Sequence, residues 1–335
     1  MTDGLIKNYE GDINRVLEEV AAKYGWEFEN IKPVAGYFAN LVYEIEKNNR
    51  VYILRLTHLS HRSPQQIEAE LLWIRYLAEH DVPVIRSVSS TAGNLFEKIE
   101  SEGELFTAAV FDKARGVIAG ELEDGWDKTL FQEWGRVTGR MHALAKSYSP
   151  GDGSARRYDW FDDAYLQSDR YVPDNQPRVL EKFHLLIDNL HGLPIDNESY
   201  GLIHADFHKR NFFVDAGRIT LFDFDDCQYC WFISDIAISL FSVIAREKRE
   251  SARPDVAREF LKYFLEGYSR ENKIDPAWLG NLPLFLKLRE MINYIDGCTH
   301  WDFNRLSPGQ RRFVDKYRFN IENDVPLVDM DFTNL

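Results

Sequence analysis

Cysteine is scarce in this 335-residue chain, and long apolar runs are absent. Three cysteines, an odd number, argue against a disulfide framework. No stretch approaches the roughly 18 consecutive apolar residues that a membrane-spanning helix requires. The first twenty residues also lack the basic segment and apolar segment of a secretory signal. We therefore expect a cytoplasmic protein that has no membrane partner.

Basic residues are also fewer than acidic residues. Lys and Arg number 40 against 54 Asp and Glu, which gives a formal net charge of -14. Because nonspecific binding to nucleic acid requires clustered basic residues, this balance excludes nucleic acid as a general partner. Linkers rich in Gly and Ser, low-complexity tracts and repeats are missing too. The sequence does not indicate an oligomeric state.

The first third of the chain alternates between helical and extended patterns. Apolar residues recur at helical spacing in "DINRVLEEVAAKY", and "NLVYEIEK" and "RVYILRL" resemble two strands of a hairpin joined by "NN". Ser63, Pro64 and Gln66 have the order of a helix N-cap, a first-turn proline and a capping-box partner. The predicted elements are helix 12–24, strands 40–47 and 50–56, a helix from 64, and strands near 94–99 and 105–111.

The rest of the chain is mainly helical. A regular apolar stripe occupies 129–148, and from 234 onward nearly every periodic stretch is helical. One short β region interrupts the helices at about 200–224. We predict an α+β fold in which residues 1–114 form a small N-terminal lobe and residues 115–335 form a larger, mainly helical lobe.

The β region carries the most specific motif, "HADFHKRNFF". "NFFV" at 211–214 and "RITLFDF" at 218–224 flank the turn sequence "DAG" and should pair as a hairpin. Asn211 would then lie within about one position of Asp223, where opposed Cβ atoms are about 5 Å apart. An amide carbonyl and a carboxylate suit Mg²⁺ that is held together with a nucleotide.

Asp206 precedes Asn211 by five residues and would lie in the loop that enters the hairpin. A carboxylate there can orient a hydroxyl nucleophile and accept its proton, which makes Asp206 the candidate catalytic base. His204 belongs to the same catalytic loop, and we favour a role in organising that loop over a role in proton transfer.

The order His204-x-Asp206, then Asn211, then Asp223-Phe-Asp225 resembles the aminoglycoside phosphotransferase and choline kinase superfamily. That family includes homoserine kinase type II and bacterial stress-response kinases. The resemblance covers about residues 30–300 and implies a protein-kinase-like fold of two lobes, a small antiparallel-sheet lobe and a larger mainly helical one. It also implies ATP and Mg²⁺ as cofactors, and it gives Asp235 the structural role of supporting the backbone of the catalytic loop.

The same resemblance assigns nucleotide-binding residues to the first lobe. The loop in "VAGYFANLVYEI" has Gly36 as its only glycine. Arg55 occupies the position where kinases carry a lysine, and its guanidinium can bind phosphate through two donors. Glu70 is the expected partner of Arg55, with Glu68 as the alternative. The hinge that binds adenine through its backbone would be formed by Asp112, Lys113 and Ala114.

These features predict a phosphotransferase that moves the γ-phosphoryl group of ATP to a hydroxyl of a small molecule. The acidic composition slightly favours an amine-bearing acceptor. The alternatives are a nucleotide-binding regulatory module without turnover, a Ser/Thr protein kinase of the same superfamily, and a metal-dependent phosphohydrolase. The hydrolase would use His204, Asp206, Asp223 and Asp225, but it leaves the first lobe unexplained.

Three further features remain open. Cys227 and Cys230 form C-x-x-C without a second pair, so we expect reduced thiols and no zinc site. Asp225 or Asp226 is a candidate for a second metal, with solvation or loop support as the alternative. The acceptor pocket has candidates in the insert 147–175 and in a polar group at the end of a helix, at His300, Trp301, Asp302 and Asn304.

Overall fold

The structure is a computed structural model that describes residues 13–27, 30–34, 40–150, 155–303 and 305–333. The chain divides into two compact units. The first unit consists of residues 1–116 with two short segments from later in the chain, 149–157 and 220–225. The second unit consists of residues 117–148, 158–219 and 226–335.

The first unit is built on a six-stranded sheet in which every neighbouring pair is antiparallel. Its order is β1-β2-β3-β6-β4, and β5 pairs with the same edge of β6 that receives β4. The strands are β1 (Asn30–Pro33), β2 (Asn40–Lys47), β3 (Arg50–His58), β4 (Ser87–Val88), β5 (Glu97–Ser101) and β6 (Glu104–Asp112). Asn48 and Asn49, at the tip of the β2-β3 hairpin, both have positive φ, as a type I′ turn requires.

Two helices, α1 (Ile13–Tyr24) and α2 (Pro64–Glu79), cover this sheet. Leu54 and Leu56 of β3 belong to the apolar core that α1 closes. Successive side chains of a strand point to opposite faces, so Arg55 points to the other face, where it contacts Glu70 of α2. The Ser63 hydroxyl accepts from the Gln66 amide, and the Gln66 side chain accepts from the Ser63 amide, which confirms the predicted capping box.

The second unit is mainly helical. Its helices are α3 (Lys128–Ala145), α4 (Ser168–Tyr171), α5 (Pro177–His191), α6 (Phe232–Ile244), α7 (Arg253–Tyr268), α8 (Pro276–Leu279), α9 (Leu282–His300) and α10 (Pro308–Glu322). Helices α3 and α7 approach each other closely at Gly135, Gly139 and Gly267. A Cβ atom added to Gly135 would lie 1.8 Å from the backbone oxygen of Phe264, so only glycine permits this approach.

Short strands lie between these helices. Strand β9 (Phe212–Asp215) is central in a three-stranded sheet with β7 (Val117–Ile118) and β10 (Arg218–Leu221), and β8 (Tyr200–Ile203) pairs antiparallel with β11 (Gln228–Trp231). The hairpin is present, but the prediction that its second strand runs to residue 224 is wrong. The strand ends at Leu221, and Asp223 has a left-handed backbone with φ of 63° that cannot continue a ladder.

No helix within the described ranges combines the length and apolar character needed to cross a membrane.

Candidate active site

The catalytic loop 204–211 is tied to the start of helix α6 by Asp235. Oδ1 of Asp235 accepts the backbone N–H of Ala205 at 2.8 Å, and Oδ2 accepts that of His204 at 3.1 Å. Nε2 of His142 lies 3.1 Å from the same Oδ2. Asp235 and His142 are completely buried. The family resemblance implies that Asp235 supports this backbone, and its two hydrogen bonds to the loop are the contacts on which that prediction rests.

Ala205 adopts a left-handed backbone with φ of 64°, which L-residues with a side chain rarely adopt. His204 is buried, and its Nδ1 accepts the backbone N–H of Asp206 at 3.2 Å while its ring stacks on Phe207. These contacts join His204 to the backbone and to a side chain of the loop, and its role in organising the loop stays a prediction.

Both oxygens of the Asp206 carboxylate have their own donor. Nδ2 of Asn211 donates to Oδ2 at 2.8 Å, and Nη2 of Arg289 donates to Oδ1 at 2.7 Å. Nε2 of His208 lies 3.6 Å from Oδ2. Burial acts to raise the pKa of Asp206, but His208 and Arg289 outweigh it, so the pKa is lower than the ordinary value. Asp206 is therefore an ionised carboxylate with a fixed orientation at neutral pH.

Asn211 presents a carbonyl oxygen suited to a hard cation. Its amide nitrogen donates to Oδ2 of Asp206 and, at 3.0 Å, to the backbone oxygen of Asp206. The amide oxygen Oδ1 therefore remains as the acceptor that can bind a cation. Within the described ranges, no cluster of three His, Cys, Asp or Glu residues forms a metal cage. This donor set fits Mg²⁺ that arrives with a nucleotide and keeps phosphate and water ligands.

A pocket opens beside Asp206 within the second unit. Its cavity volume is about 230 Å³. Apolar residues of α6 and α9 form part of its wall, among them Ile238, Phe285, Leu288 and Ile292. Its charged lining residues are Asp163, Asp206, Asp226, Asp296 and Arg289. Carboxylates therefore outnumber cations in this pocket.

The insert 147–175, which the sequence left open, contributes one wall of the pocket through Trp160, Asp163, Tyr165 and Leu166. The hydroxyl of Tyr165 donates to Oδ1 of Asp296 at 3.0 Å. The sequence interpretation missed Arg289 and Asp296. They follow Phe285 by four and eleven residues on one helix face, and this spacing was the available signal.

The other open acceptor candidates lie elsewhere. None of His300, Trp301 and Asp302 lines the pocket. The ring of Trp301 packs edge-on against Phe313, with ring centroids 5.3 Å apart. Asn304 lies outside the described residues. Cys227 and Cys230 are buried free thiols, as expected, and Cys230 contributes to the pocket lining.

In the first unit, Arg55 and Glu70 form a bidentate ion pair. Nη1 and Nη2 of Arg55 donate to Oε1 and Oε2 of Glu70 at 2.8 and 2.7 Å. Glu70 is completely buried and Arg55 nearly so. Burial lowers the pKa of Arg55, but the Glu70 carboxylate more than offsets this, so the pKa is raised above its ordinary value. Glu70, and not Glu68, is thus the partner of Arg55.

The residues after Asp223 are held by a basic cluster in the same unit. Nε2 of His61 lies 2.6 Å from Oδ2 of Asp225, and Nη2 of the buried Arg157 donates to the Asp225 backbone oxygen at 2.6 Å. Nε of Arg62 donates to that oxygen at 3.2 Å. Burial raises the pKa of Asp225, but Arg62 and His61 outweigh it and lower the pKa well below the ordinary value. These contacts support the loop through Oδ2 and the backbone of Asp225, whereas its Oδ1 is buried without a hydrogen-bond partner among the described residues.

The predicted hinge follows strand β6. The backbone N–H of Asp112 donates to the backbone oxygen of Arg86 at 2.9 Å and is not available to a ligand. The ammonium group of Lys113 is 2.5 Å from Oε1 of Glu44. Backbone contacts to adenine through Asp112, Lys113 and Ala114 stay a prediction, with the backbone oxygen of Asp112 in place of its N–H. Gly36, predicted in the nucleotide loop, lies outside the described residues.

Comparison with known proteins identifies the relatives of this chain. Residues 30–273 match the phosphotransferase enzyme family. An amicoumacin kinase from Bacillus subtilis (strain 168) is 37% identical over 96% of this chain and 95% of its own length. The solved structure of an amicoumacin kinase in complex with AMP-PNP, Ca²⁺ and Ami is 36% identical, covers 99% of both chains and has a TM-score of 0.92.

A microcompartment-associated aminopropanol kinase has the same fold, with 21% identity, a TM-score of 0.74, and coverage of 92% of this chain and 95% of its own. The expected α+β fold, with an antiparallel-sheet lobe and a mainly helical lobe, is confirmed. The chain thus belongs to the phosphotransferase enzyme family, as the order of His204, Asp206, Asn211 and Asp223 implied.

Proposed function

We propose that this chain is a cytoplasmic, ATP- and Mg²⁺-dependent kinase whose acceptor is a hydroxyl of an amine-bearing small molecule such as amicoumacin. The observation that carries the proposal is the Asp206 carboxylate, held by Asn211 and Arg289 at the side of a pocket rich in carboxylates. The similarity to amicoumacin kinases over nearly the whole chain supports this acceptor. Residues 1–114 would bind the nucleotide, and residues 115–335 would supply the catalytic loop and the acceptor pocket.

In the reaction, Asp206 orients the acceptor hydroxyl and accepts its proton. The hydroxyl oxygen forms a bond to the γ-phosphorus while the bond from that phosphorus to the bridging oxygen of ADP breaks. ADP leaves with the electron pair, and the proton passes from Asp206 to solvent. Because such a transition state is loose and little covalent chemistry is required, the protein contributes chiefly orientation and charge stabilisation.

Other residues would hold the nucleotide. Oδ1 of Asn211 and the carboxylate of Asp223 would hold Mg²⁺, which neutralises phosphate charge when it is bound. Arg55, placed by Glu70, would bind the phosphates, and the backbone of Asp112, Lys113 and Ala114 would contact adenine. His204 and Asp235 would keep the catalytic loop in shape, through the hydrogen bonds that they make to it.

The charge of the pocket supports an amine-bearing acceptor. Asp163, Asp226 and Asp296 line it together with Asp206, and Arg289 is the cation among its lining residues. An ammonium group would be attracted by this excess of negative charge, and a low local dielectric strengthens the attraction. A carboxylate group on the acceptor would be repelled.

The experiment is ADP release with Mg²⁺ and ATP against a panel of acceptors: amicoumacin, 1-amino-2-propanol, spectinomycin, choline, homoserine and a generic Ser/Thr protein. Asp206→Asn keeps the shape of the side chain and removes its basicity, so we expect turnover to fall at least 100-fold. The matched control is Asp188→Asn, the same change at an exposed position of α5, which should leave turnover unchanged.

The panel separates the competing functions. Acceptor-dependent ADP release with amicoumacin or aminopropanol, abolished in Asp206→Asn, supports the proposal. Phosphorylation of the protein substrate alone would favour the protein kinase. Tight ATP binding with no ADP release for any acceptor would favour the regulatory module.

A further inference from the structure

We propose that Arg289 is a positioning residue for the reaction: it fixes the Asp206 carboxylate in the orientation that receives the acceptor hydroxyl. This inference rests on the proposed role of Asp206 as the catalytic base. Arg289 lies 83 positions later in the chain, outside the catalytic loop.

The contact itself is short and shielded. Nη2 of Arg289 lies 2.7 Å from Oδ1 of Asp206, and the two side chains are 18% and 17% exposed. A hydrogen bond between two charged groups at this distance is among the stronger polar contacts in proteins. Partial burial also reduces its screening by salt, in contrast to an ion pair on the surface.

With Arg289, both oxygens of the Asp206 carboxylate accept a hydrogen bond from a side chain. Asn211 occupies Oδ2 at 2.8 Å, and Arg289 occupies Oδ1. Rotation of the carboxylate about its Cβ–Cγ bond would lengthen one of these two hydrogen bonds. Each carboxylate oxygen has two lone-pair sites, so an acceptor hydroxyl can still donate to an oxygen that is already held. Arg289 therefore restricts the carboxylate without blocking it.

Arg289 lies on a partly apolar face of helix α9. Phe285, Leu288 and Ile292 line the same pocket from this helix, beside Asn293 and Asp296. An arginine on such a face requires a specific partner, because burying its charge costs free energy. Asp206 is that partner, although Asp163, Asp226 and Asp296 also line the pocket.

This arrangement makes a kinetic prediction. Without the hydrogen bond from Arg289, the Asp206 side chain stays in place but its carboxylate is free to rotate. Misplacement of a reacting group by about 1 Å can cost about 100-fold in rate. Arg289→Ala should therefore lower kcat about 100-fold and leave the KM for ATP within about twofold. Arg289→Lys keeps the charge but lacks the planar fork, so it should recover only part of the rate. Added guanidinium ion should partly restore Arg289→Ala.

A double-variant cycle tests whether Arg289 acts through Asp206. Single-turnover rates are measured for the wild type, Arg289→Ala, Asp206→Asn and the double variant, with Arg311→Ala on the exposed face of α10 as the control. We expect Arg289→Ala to cost about 100-fold in the wild type and less than about threefold in the Asp206→Asn background. An equal loss in both backgrounds would overturn the proposal, since Arg289 would then act independently of Asp206.

The activities of Asp206→Asn and Arg289→Ala show whether the proposed function or only the positioning role of Arg289 is wrong. If Asp206→Asn retains wild-type turnover, the proposed role of Asp206 is wrong and the inference is wrong with it. If Asp206→Asn is inactive and Arg289→Ala is fully active, only the inference is wrong. If no acceptor is turned over, crystal structures of wild type and Arg289→Ala decide: an unchanged Asp206 carboxylate in the variant overturns the positioning role, and a rotated one supports it.

Discussion

The carboxylate of Asp235 accepts the backbone N–H of Ala205 at 2.8 Å, at a point where Ala205 holds a left-handed backbone. The conformation that Ala205 would otherwise avoid is thus fixed by a completely buried side chain 30 positions later. The catalytic loop derives its shape from this bond, from the matching bond to His204 and from the ring of His204 itself.

Asp235→Asn should destabilise the fold and slow catalysis together. The amide of asparagine can accept one backbone N–H, but its NH₂ group would face the other, leaving a buried donor without an acceptor. We expect a loss of about 3 kcal/mol in the free energy of unfolding and a lower kcat. Urea unfolding measures the first and ADP release the second, with Asp188→Asn as the exposed control. Wild-type stability in Asp235→Asn would contradict this account of the loop.

Glu70→Gln should destabilise the first unit, because it breaks the buried ion pair between Arg55 and Glu70. Arg55 would lose its countercharge while it stays buried, and breaking a buried pair in this way costs about 3–5 kcal/mol. Glu68→Gln is the matched control, since Glu68 lies two residues away and does not pair with Arg55. Urea unfolding of both variants provides the measurement, and equal losses would mean that the pair contributes nothing specific.

Asp225 should make stability depend on acid pH. Its folded pKa lies well below the ordinary value, so the folded state binds fewer protons than the unfolded state in that range. The stabilisation is complete above the unfolded pKa of 3.8 and is lost as the pH falls from there through the folded pKa. Asp225→Asn should therefore be less stable than the wild type at pH 6, and the difference should shrink below pH 4. Urea unfolding from pH 3 to pH 7 measures this, and a constant difference would contradict it.

Gly135→Ala should disrupt the packing of α3 against α7. The new methyl carbon would lie 1.8 Å from the backbone oxygen of Phe264, so the helices must separate. We expect destabilisation of about 3 kcal/mol or more, as for severe overpacking. Gly309→Ala, in α10, is the control because the nearest atom to its new methyl would be 4.0 Å away. Thermal unfolding distinguishes the two variants, and equal melting temperatures would refute the close approach.

Local signals in the sequence were sufficient for most elements of the fold. Helical spacing predicted α1, and the order Ser63-Pro64-x-Gln66 predicted the start of α2 because a capping box depends only on neighbouring residues. The predicted extension of strand β10 was wrong. "LFDF" contains the aromatic residues that favour strands, but the residue pattern alone does not report the left-handed backbone of Asp223.

The composition of the pocket could not be predicted in the same way. Its lining comes from stretches near 160–166, 205–206, 226–238 and 285–296, which only the tertiary fold brings together. Arg289 looks like an ordinary charged helix residue in the sequence, since nothing within one turn of α9 indicates a partner 83 positions earlier. The catalytic loop was recognisable because its residues occupy one short stretch.

The buried Arg157 has a practical consequence for expressing parts of this enzyme. Arg157 binds the backbone oxygens of Gln66 and Asp225, so residues from three distant stretches of sequence are needed to complete one compact unit. The chain leaves that unit after residue 116 and returns to it twice. A single cut near the apparent lobe boundary would therefore yield an amino-terminal fragment without two of its own segments. A split-protein reporter or a domain swap should instead keep 149–157 and 220–225 with residues 1–116.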